Sequence, residues 1–177
     1  MGLVAGTNLV SDSIVSRVSV RPNLALAVGL SAEGRVDRSR VGAGLTVSRS
    51  DVVRREPLGT FTITRLTVWQ PSLYLRQPLL RWLSGDARVS LFVYDPSVRA
   101  GTLFRSGTAV EPGLGLGLRA ERRVGPAVGL GLAAQYDIHR FSTPALRAEG
   151  FTGKTYVHRF SLLFSVRRIA SHERAAS

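Results

Sequence analysis

The side-chain character of this chain changes at every second residue along most of its length. From position 18 to position 32, the even positions carry valine, leucine, proline or alanine, and the odd positions carry small or polar residues. The same alternation recurs in 110–118, 128–138 and 156–166. Because successive side chains of a β-strand point to opposite faces, this period predicts strands rather than helices. We predict eight strands, near residues 2–10, 18–33, 40–50, 60–76, 86–95, 109–122, 127–140 and 154–168.

The two faces of the predicted strands differ in an unusual way. One face carries large aliphatic side chains, whereas the other carries glycine, alanine and serine, with charged residues toward the strand ends. In 113–118, glycine and leucine simply alternate. A soluble barrel turns polar side chains to water, and a glycine face has none to offer. Small residues fit the crowded interior of a narrow barrel, and leucines fit lipid tails outside it. We therefore predict that the aliphatic face points outward.

The connections between the predicted strands alternate in length. The links at 34–39 and 123–126 are short, whereas those at 51–59, 96–108 and 141–153 are longer and rich in Arg, Gly, Ser and Pro. Short turns at one end and long extracellular loops at the other are typical of outer-membrane barrels. Several predicted strands reach the roughly 9–11 tilted residues that cross a bilayer.

With these strands in place, the chain resembles the small bacterial outer-membrane β-barrels, the eight-stranded OmpA-type or porin-like domains. The resemblance is carried by the repeated Gly-Leu-Gly-Leu strands, the opening segment 2–9 and the closing segment 156–166. It implies an all-β fold, an eight-stranded antiparallel up-and-down transmembrane β-barrel over residues 1–168. Such proteins usually end on an aromatic residue that the insertion machinery recognises. Here a polar C-terminal tail, 169–177, follows the last strand.

Composition excludes several kinds of site and of membrane segment. The chain has no cysteine, so disulfides, thiolate metal sites and cysteine nucleophiles are excluded. Its three histidines are scattered and form no recognisable metal set. No apolar stretch approaches the roughly 18–20 residues of a spanning helix, and no signal peptide is visible. If the protein is exported, we expect this chain to be a mature form without its leader. We expect no metal or other cofactor.

Charged residues on the predicted inner face have mixed signs. An unpaired charge inside a barrel is costly, so we expect these residues to form a pairing network. Such side chains fill the interior of an eight-stranded barrel, so we expect no open pore. The predicted network consists of Arg21, Glu33, Glu111, Arg119, Glu121, Asp137 and Arg159.

Basic residues in the predicted outer loops are candidates for binding lipopolysaccharide. The formal net charge is +12. Arginine binds phosphate through two parallel hydrogen bonds, so loop arginines suit lipopolysaccharide phosphates. The candidates are Arg54, Arg55, Arg99, Arg105, Arg147 and Lys154.

Four aromatic residues are assigned to the membrane interfaces, where outer-membrane barrels carry aromatic girdles. We place Tyr136 and Tyr156 together near the outer interface. Trp82 and Phe164 are placed near the inner one. Aromatic residues in strand cores are also common, so these positions support the membrane interpretation without deciding it.

Two glycine-rich motifs are interpreted as packing features rather than nucleotide sites. Residues 115–120 and 129–134 each fit a dinucleotide-binding fingerprint, but both lie within predicted strands and open no helix. Residues 148–155 fit a relaxed phosphate loop, but a strand rather than a helix is predicted to follow.

The preferred interpretation is an integral outer-membrane protein with a structural, envelope-stabilising or loop-mediated binding or adhesion role and no catalysis. Its expected partners are outer-membrane lipid and lipopolysaccharide, without nucleic acid. One alternative is a soluble basic β-barrel that binds a small ligand or nucleic acid, although no recognition helix is evident. Another is a lipid-modifying barrel enzyme that uses His139 and Ser142, with Asp137 nearby, although no oxyanion-hole signature accompanies them. The ligand and the oligomeric state stay open.

Overall fold

The computed structural model describes residues 1–6, 9–10, 19–56, 59–97, 108–142, 147–148 and 155–168. The strands are β1 (Gly2–Gly6), β2 (Leu9–Val10), β3 (Ser19–Pro22), β4 (Ala25–Val36), β5 (Ser39–Glu56), β6 (Gly59–Pro78), β7 (Leu83–Pro96), β8 (Ala109–Arg123), β9 (Val128–Arg140) and β10 (Tyr156–Arg168). Among the described residues, no helix is long and apolar enough to span a membrane.

All the strands belong to one antiparallel sheet that closes in a ring. Strands β4 to β10 pair in sequence order, each with the next. β1 completes the ring because it pairs with β10 on one side and β4 on the other. β4 pairs with the first part of β5, and β3 pairs with the part of β5 that follows. β2 pairs with the other edge of β3. The all-β, antiparallel prediction is therefore confirmed.

The ring has two distinct ends. The lower end holds Met1, Arg168 and the short connections 37–38, 79–82 and 124–127. The upper end holds the connections after β2, β5, β7 and β9. At the lower β4–β5 turn, Asp37 has a φ of 52°. Aspartate tolerates this left-handed conformation better than most residues.

The predicted strand boundaries hold, with two differences. The predicted strands 2–10 and 18–33 are each divided in two, the second where Asn23 leaves the ladder to donate to the Asp51 carbonyl at 2.9 Å. The prediction of a long loop at 51–59 is wrong. β5 runs to Glu56 and pairs with Gly59 at the start of β6. The register shift beside Val52 and Val53 lies in β6, where Ile63 is the extra residue between Thr62 and Thr64, as in a β-bulge.

The large aliphatic side chains face outward, as predicted from the alternation. Leu116 is 65% exposed and Leu132 is 51% exposed. On the opposite face of the same strands, a Cβ built on Gly115 would meet the side chains of Asp137 and Arg88. At this level of the ring, glycines and charged groups therefore occupy the interior, and leucines cover the outside.

Gly115 is needed because there is no room for a side chain at its position. A Cβ there would lie 2.8 Å from Arg88 Cγ and closer still to Asp137 Oδ1. We expect Gly115→Ala to lower the free energy of unfolding by about 1–3 kcal/mol, the usual cost of overpacking an interior. The measurement is urea unfolding, followed by tryptophan fluorescence.

The matched control is Gly34→Ala, because Gly34 also lies in a strand but has nothing within 4 Å of its would-be Cβ. We expect this control to change stability by no more than about 0.5 kcal/mol. Equal effects of the two substitutions would contradict the assignment of Gly115 to a packed interior.

Candidate functional site

The lower part of the interior holds a cluster of four arginines around two glutamates. Glu33 on β4 accepts a hydrogen bond from Arg40 Nη1 at 3.0 Å, and Arg76 Nη1 donates to its other oxygen. The Tyr74 hydroxyl also donates to Glu33, at 3.3 Å. We call this set the arginine–glutamate cluster; it comprises Glu33, Arg40, Arg76, Arg119, Glu121 and Arg167.

The ring topology makes these glutamates necessary. Arg40 and Arg76 are directly opposite each other across the β5–β6 ladder. Like charges at opposed positions destabilise a sheet. Glu33 lies against both arginines, and Glu121 comes within 3.7 Å of Arg40 and 3.9 Å of Arg76. The two carboxylates therefore compensate repulsion that the strand register creates.

A second polar layer lies above this cluster. Arg88 donates hydrogen bonds to the Asp86 carboxylate and to the Gln135 side-chain oxygen. Its Nε lies 3.8 Å from Oδ1 of Asp137, a residue with no solvent exposure. Higher still, Arg159 donates to the Ser48 hydroxyl at 3.1 Å. A cavity of about 100 Å³ separates this layer from the arginine–glutamate cluster.

The upper interior is filled by aromatic and aliphatic side chains. Phe92 is fully buried and stacks on the ring of His139, with centroids 4.1 Å apart. The Tyr94 hydroxyl is hydrogen-bonded to His139 Nε2, and Tyr94 packs edge-on against Phe141. We call this set the aromatic plug; it comprises Phe92, Tyr94, His139 and Phe141, packed with Val52, Leu66, Val68 and Val157.

Among the described residues, the predicted interior charges are distributed over several levels of the ring. Glu33, Arg119 and Glu121 belong to the arginine–glutamate cluster, whereas Asp137 is in the second layer. The Arg159 guanidinium lies 5.2 Å from the Phe92 ring centroid, next to the aromatic plug. Glu111, near the upper end, accepts a hydrogen bond from the Ser142 backbone at 3.4 Å. The side chain of Arg21 lies outside the described part of the chain.

Sequence reasoning missed several interior charges that complete these layers. Arg76, Asp86 and Arg88 lie in even positions of β6 and β7, where the alternation was less regular. The even positions of these strands also hold the buried Gln70 and Ser90, which are hydrogen-bonded to each other at 3.3 Å. The even numbering of the three charged residues could therefore have indicated that they face the interior.

Outside the ring, exposed apolar residues form a continuous band. On β8 the outward positions from Val110 to Ala120 are all apolar, and the band ends at Arg122. These 10 residue steps, at about 3.3 Å each and a strand tilt of about 40°, span about 25 Å along the ring axis. We call this surface the exterior band. It includes Leu24, Leu26, Val28, Leu30, Val41, Leu45, Trp69, Leu73, Leu75, Val89, Leu91, Val110, Leu114, Leu116, Leu118, Leu132, Phe160, Leu162, Phe164 and Val166.

Charged residues mark the two edges of the exterior band. Exposed outward-facing Arg49, Asp95 and Arg140 border it above, and Arg122 and Arg168 border it below. The band is therefore a bounded belt rather than a uniformly apolar surface.

Three of the predicted interface aromatics are on the outside of the ring and Trp82 lies in the lower connection from β6 to β7, but not all are at the predicted heights. Trp82 and Phe164 line one groove at the lower edge, as expected for neighbours. Tyr136 pairs with Phe160, whereas Tyr156 pairs with Arg140, so the two tyrosines are not on one level. The Tyr136 hydroxyl is hydrogen-bonded to His158 Nδ1 at 2.6 Å, which gives that outward-facing histidine a polar partner.

Three of the lipopolysaccharide candidates are described. Arg54 and Arg55 lie at the upper end of β5, where it extends with β6 beyond the last residue of β7. Arg147 is exposed and donates to the Ser142 hydroxyl at 3.2 Å. The other three lie outside the described residues: Arg99, Arg105 and Lys154.

His139, Ser142 and Asp137 do not form a hydrogen-bonded triad. In the described part of the chain, His139 is bonded to Tyr94 rather than to Ser142 or Asp137. The Ser142 hydroxyl accepts from Arg147. Buried against Phe92, His139 serves the packing of the aromatic plug.

No protein-family model, curated protein or solved structure matches this chain. Its function is therefore inferred from the arrangement of its own side chains.

Proposed function

We propose that this chain is an integral protein of a bacterial outer membrane, an eight-stranded antiparallel up-and-down transmembrane β-barrel. The observation that carries the proposal is the exterior band. Soluble monomers rarely expose contiguous apolar patches larger than a few hundred Å². An outer-membrane barrel has an outward apolar belt about 25 Å tall and a polar interior, and closure leaves no unpaired edge in lipid.

The eight spans in this proposal correspond to the eight strands of the sequence analysis. Two of them are interrupted in the structure, giving β1 with β2 and β3 with β4. Three of the four upper connections, those after β2, β7 and β9, are longer than any of the lower turns, which supports an orientation with the upper end outside the cell. In that orientation, Arg54, Arg55 and Arg147 reach the lipopolysaccharide phosphates.

The role we propose is structural: stabilisation of the envelope or binding through the upper loops, with outer-membrane lipid and lipopolysaccharide as partners. The interior supports this role, because the charged layers and the aromatic plug occupy the space that a channel needs.

Detergent dependence tests the proposal. We expect the protein to leave cell membranes only when detergent is added. In gels, the unheated protein should migrate at a different apparent mass from the boiled protein, because the closed sheet resists unfolding by detergent. A monodisperse monomer in buffer without detergent would contradict the proposal and favour a soluble β-barrel.

Reconstitution into planar bilayers tests the absence of a pore. Because three layers of side chains fill the described interior, we expect ion current to stay at the baseline of protein-free membranes. The control is a conducting porin in the same lipid. Steady, single-sized current steps from the purified protein would contradict a closed interior.

A further inference from the structure

A cavity of about 220 Å³ lies at the lower end of the ring, between the β4–β5 turn and the connection from β6 to β7. Five of its eleven lining residues are arginines, and one, Glu121, is acidic. Trp82 lines the same cavity. The arginines are Arg35, Arg38, Arg40, Arg76 and Arg81.

Carboxylates do not balance this charge. Arg40 and Arg76 already share Glu33 and Glu121 with two further arginines. The other three arginines of the cavity are exposed, and none of them forms a salt bridge within the described part of the chain. A surplus of one sign in a concave site raises the local concentration of oppositely charged ligands.

Arg76 supplies a second, independent observation. The residue is only 4% exposed, and its buried Nε has no hydrogen-bond partner among the described residues. Leaving a buried donor without an acceptor costs about 1–3 kcal/mol or more when the group is charged. Arg76 lines this cavity as well as the cavity of about 100 Å³ above it, so an acceptor oxygen bound at either place would lie close to its guanidinium.

We propose that this cavity binds a phosphate group. Its arginines come from β4, β5, β6 and two connections, so five segments of the chain supply donors to one space. Many donors suit a tetrahedral oxyanion, which has more acceptor oxygens than a carboxylate. Arginine binds phosphate bidentately and stays charged at physiological pH. The volume, several times the roughly 30 Å³ of a water molecule, admits a phosphate with part of its ester.

Two sources carry this group: free inorganic phosphate and the headgroup of a phospholipid. The charge of the cavity does not depend on what covers the exterior band. The site and the proposed membrane location can therefore fail separately.

Trp82 provides the readout. The chain has two tryptophans, so Trp69→Phe leaves Trp82 as the only one. In octyl glucoside at constant ionic strength, we expect inorganic phosphate to change Trp82 emission saturably. In a second arm, the same protein is placed in phosphatidylcholine vesicles with a rising fraction of phosphatidylglycerol. A response in the first arm assigns free phosphate, and a response in the second arm alone assigns a lipid headgroup. No saturable response in either arm overturns the proposal.

Two double variants distinguish a specific phosphate site from nonspecific electrostatic attraction. In the arm that responds, the double variant Arg38→Gln/Arg81→Gln should raise the phosphate or lipid concentration at half-maximal response about ten-fold. This corresponds to the loss of roughly one charged hydrogen bond. The control, Arg122→Gln with Arg168→Gln, removes the same charge from exposed outward positions at the same end. Because exposed charges at a distance are screened, the control should change the midpoint about two-fold or less. Heat-dependent gel migration shows that both proteins fold. Equal weakening by the two pairs overturns the proposal.

Discussion

The Leu116→Arg variant is expected to lose about 2–4 kcal/mol of unfolding free energy in phospholipid vesicles. Leu116 lies near the middle of the exterior band on β8 and is 65% exposed. In the proposed membrane, a guanidinium at that depth would lose its water and meet only hydrocarbon. Urea unfolding from vesicles of defined lipid composition, followed by tryptophan emission, measures the difference.

Ala120→Arg is the matched control for depth. Ala120 is on the same face of the same strand, two residues from Arg122 at the lower edge. In the proposed membrane the new side chain would reach the headgroups, so the expected loss is about 0–1 kcal/mol. In a protein surrounded by water, both would be surface substitutions that change stability by about 0.5 kcal/mol or less. Two small and equal effects would therefore count against a lipid-facing band.

Glu33→Gln is expected to lower the unfolding free energy by about 3 kcal/mol, the order found when one partner of a buried ion pair is removed. The Glu33 side chain is 12% exposed and contacts Arg40, Arg76 and Arg167. Without its charge, the directly opposed Arg40 and Arg76 repel each other with less compensation. The measurement is urea unfolding in the same vesicles.

Two further variants show whether the charge is responsible. Asp51→Asn breaks an exposed pair, in which Arg65 is 3.2 Å away, and should change stability by only about 0–1 kcal/mol. Adding Arg40→Gln to Glu33→Gln should recover part of the lost stability, because it removes one of the opposed cations. Strictly additive losses in the double variant would contradict a role for charge compensation.

The alternation of side chains was sufficient to predict the antiparallel strands and the direction in which each face points. Gly115 and Leu116 illustrate why: neighbours in a strand must lie on opposite faces, and only one face has room for leucine. Composition misleads where a strand carries many charges. Residues 51–59 include Asp51, Arg54, Arg55 and Glu56 followed by proline and glycine, which is typical of a loop, yet β5 continues to Glu56 and pairs with β6.

The alternation predicts that a charged residue faces the interior, but it does not predict which residue it pairs with. Glu33 meets Arg76, 43 residues away, because the register of two successive ladders brings them together. Nothing in the local pattern around Glu33 contains that register, which depends on how the whole ring closes. The cavity lined by five arginines could not be predicted from the sequence for the same reason, because its residues come from separate strands and turns.

The most direct measurement of the central claim is the environment of single spin labels on the exterior band. The chain has no cysteine, so one introduced cysteine gives one label. In reconstituted vesicles, labels at Leu116 and Leu132 should be relaxed by oxygen and protected from a water-soluble nickel chelate. A label at exposed Ser97, beyond the upper end of β7, should show the reverse. If the nickel chelate reaches Leu116 and Leu132 as readily as Ser97, water rather than lipid covers the outside of the ring.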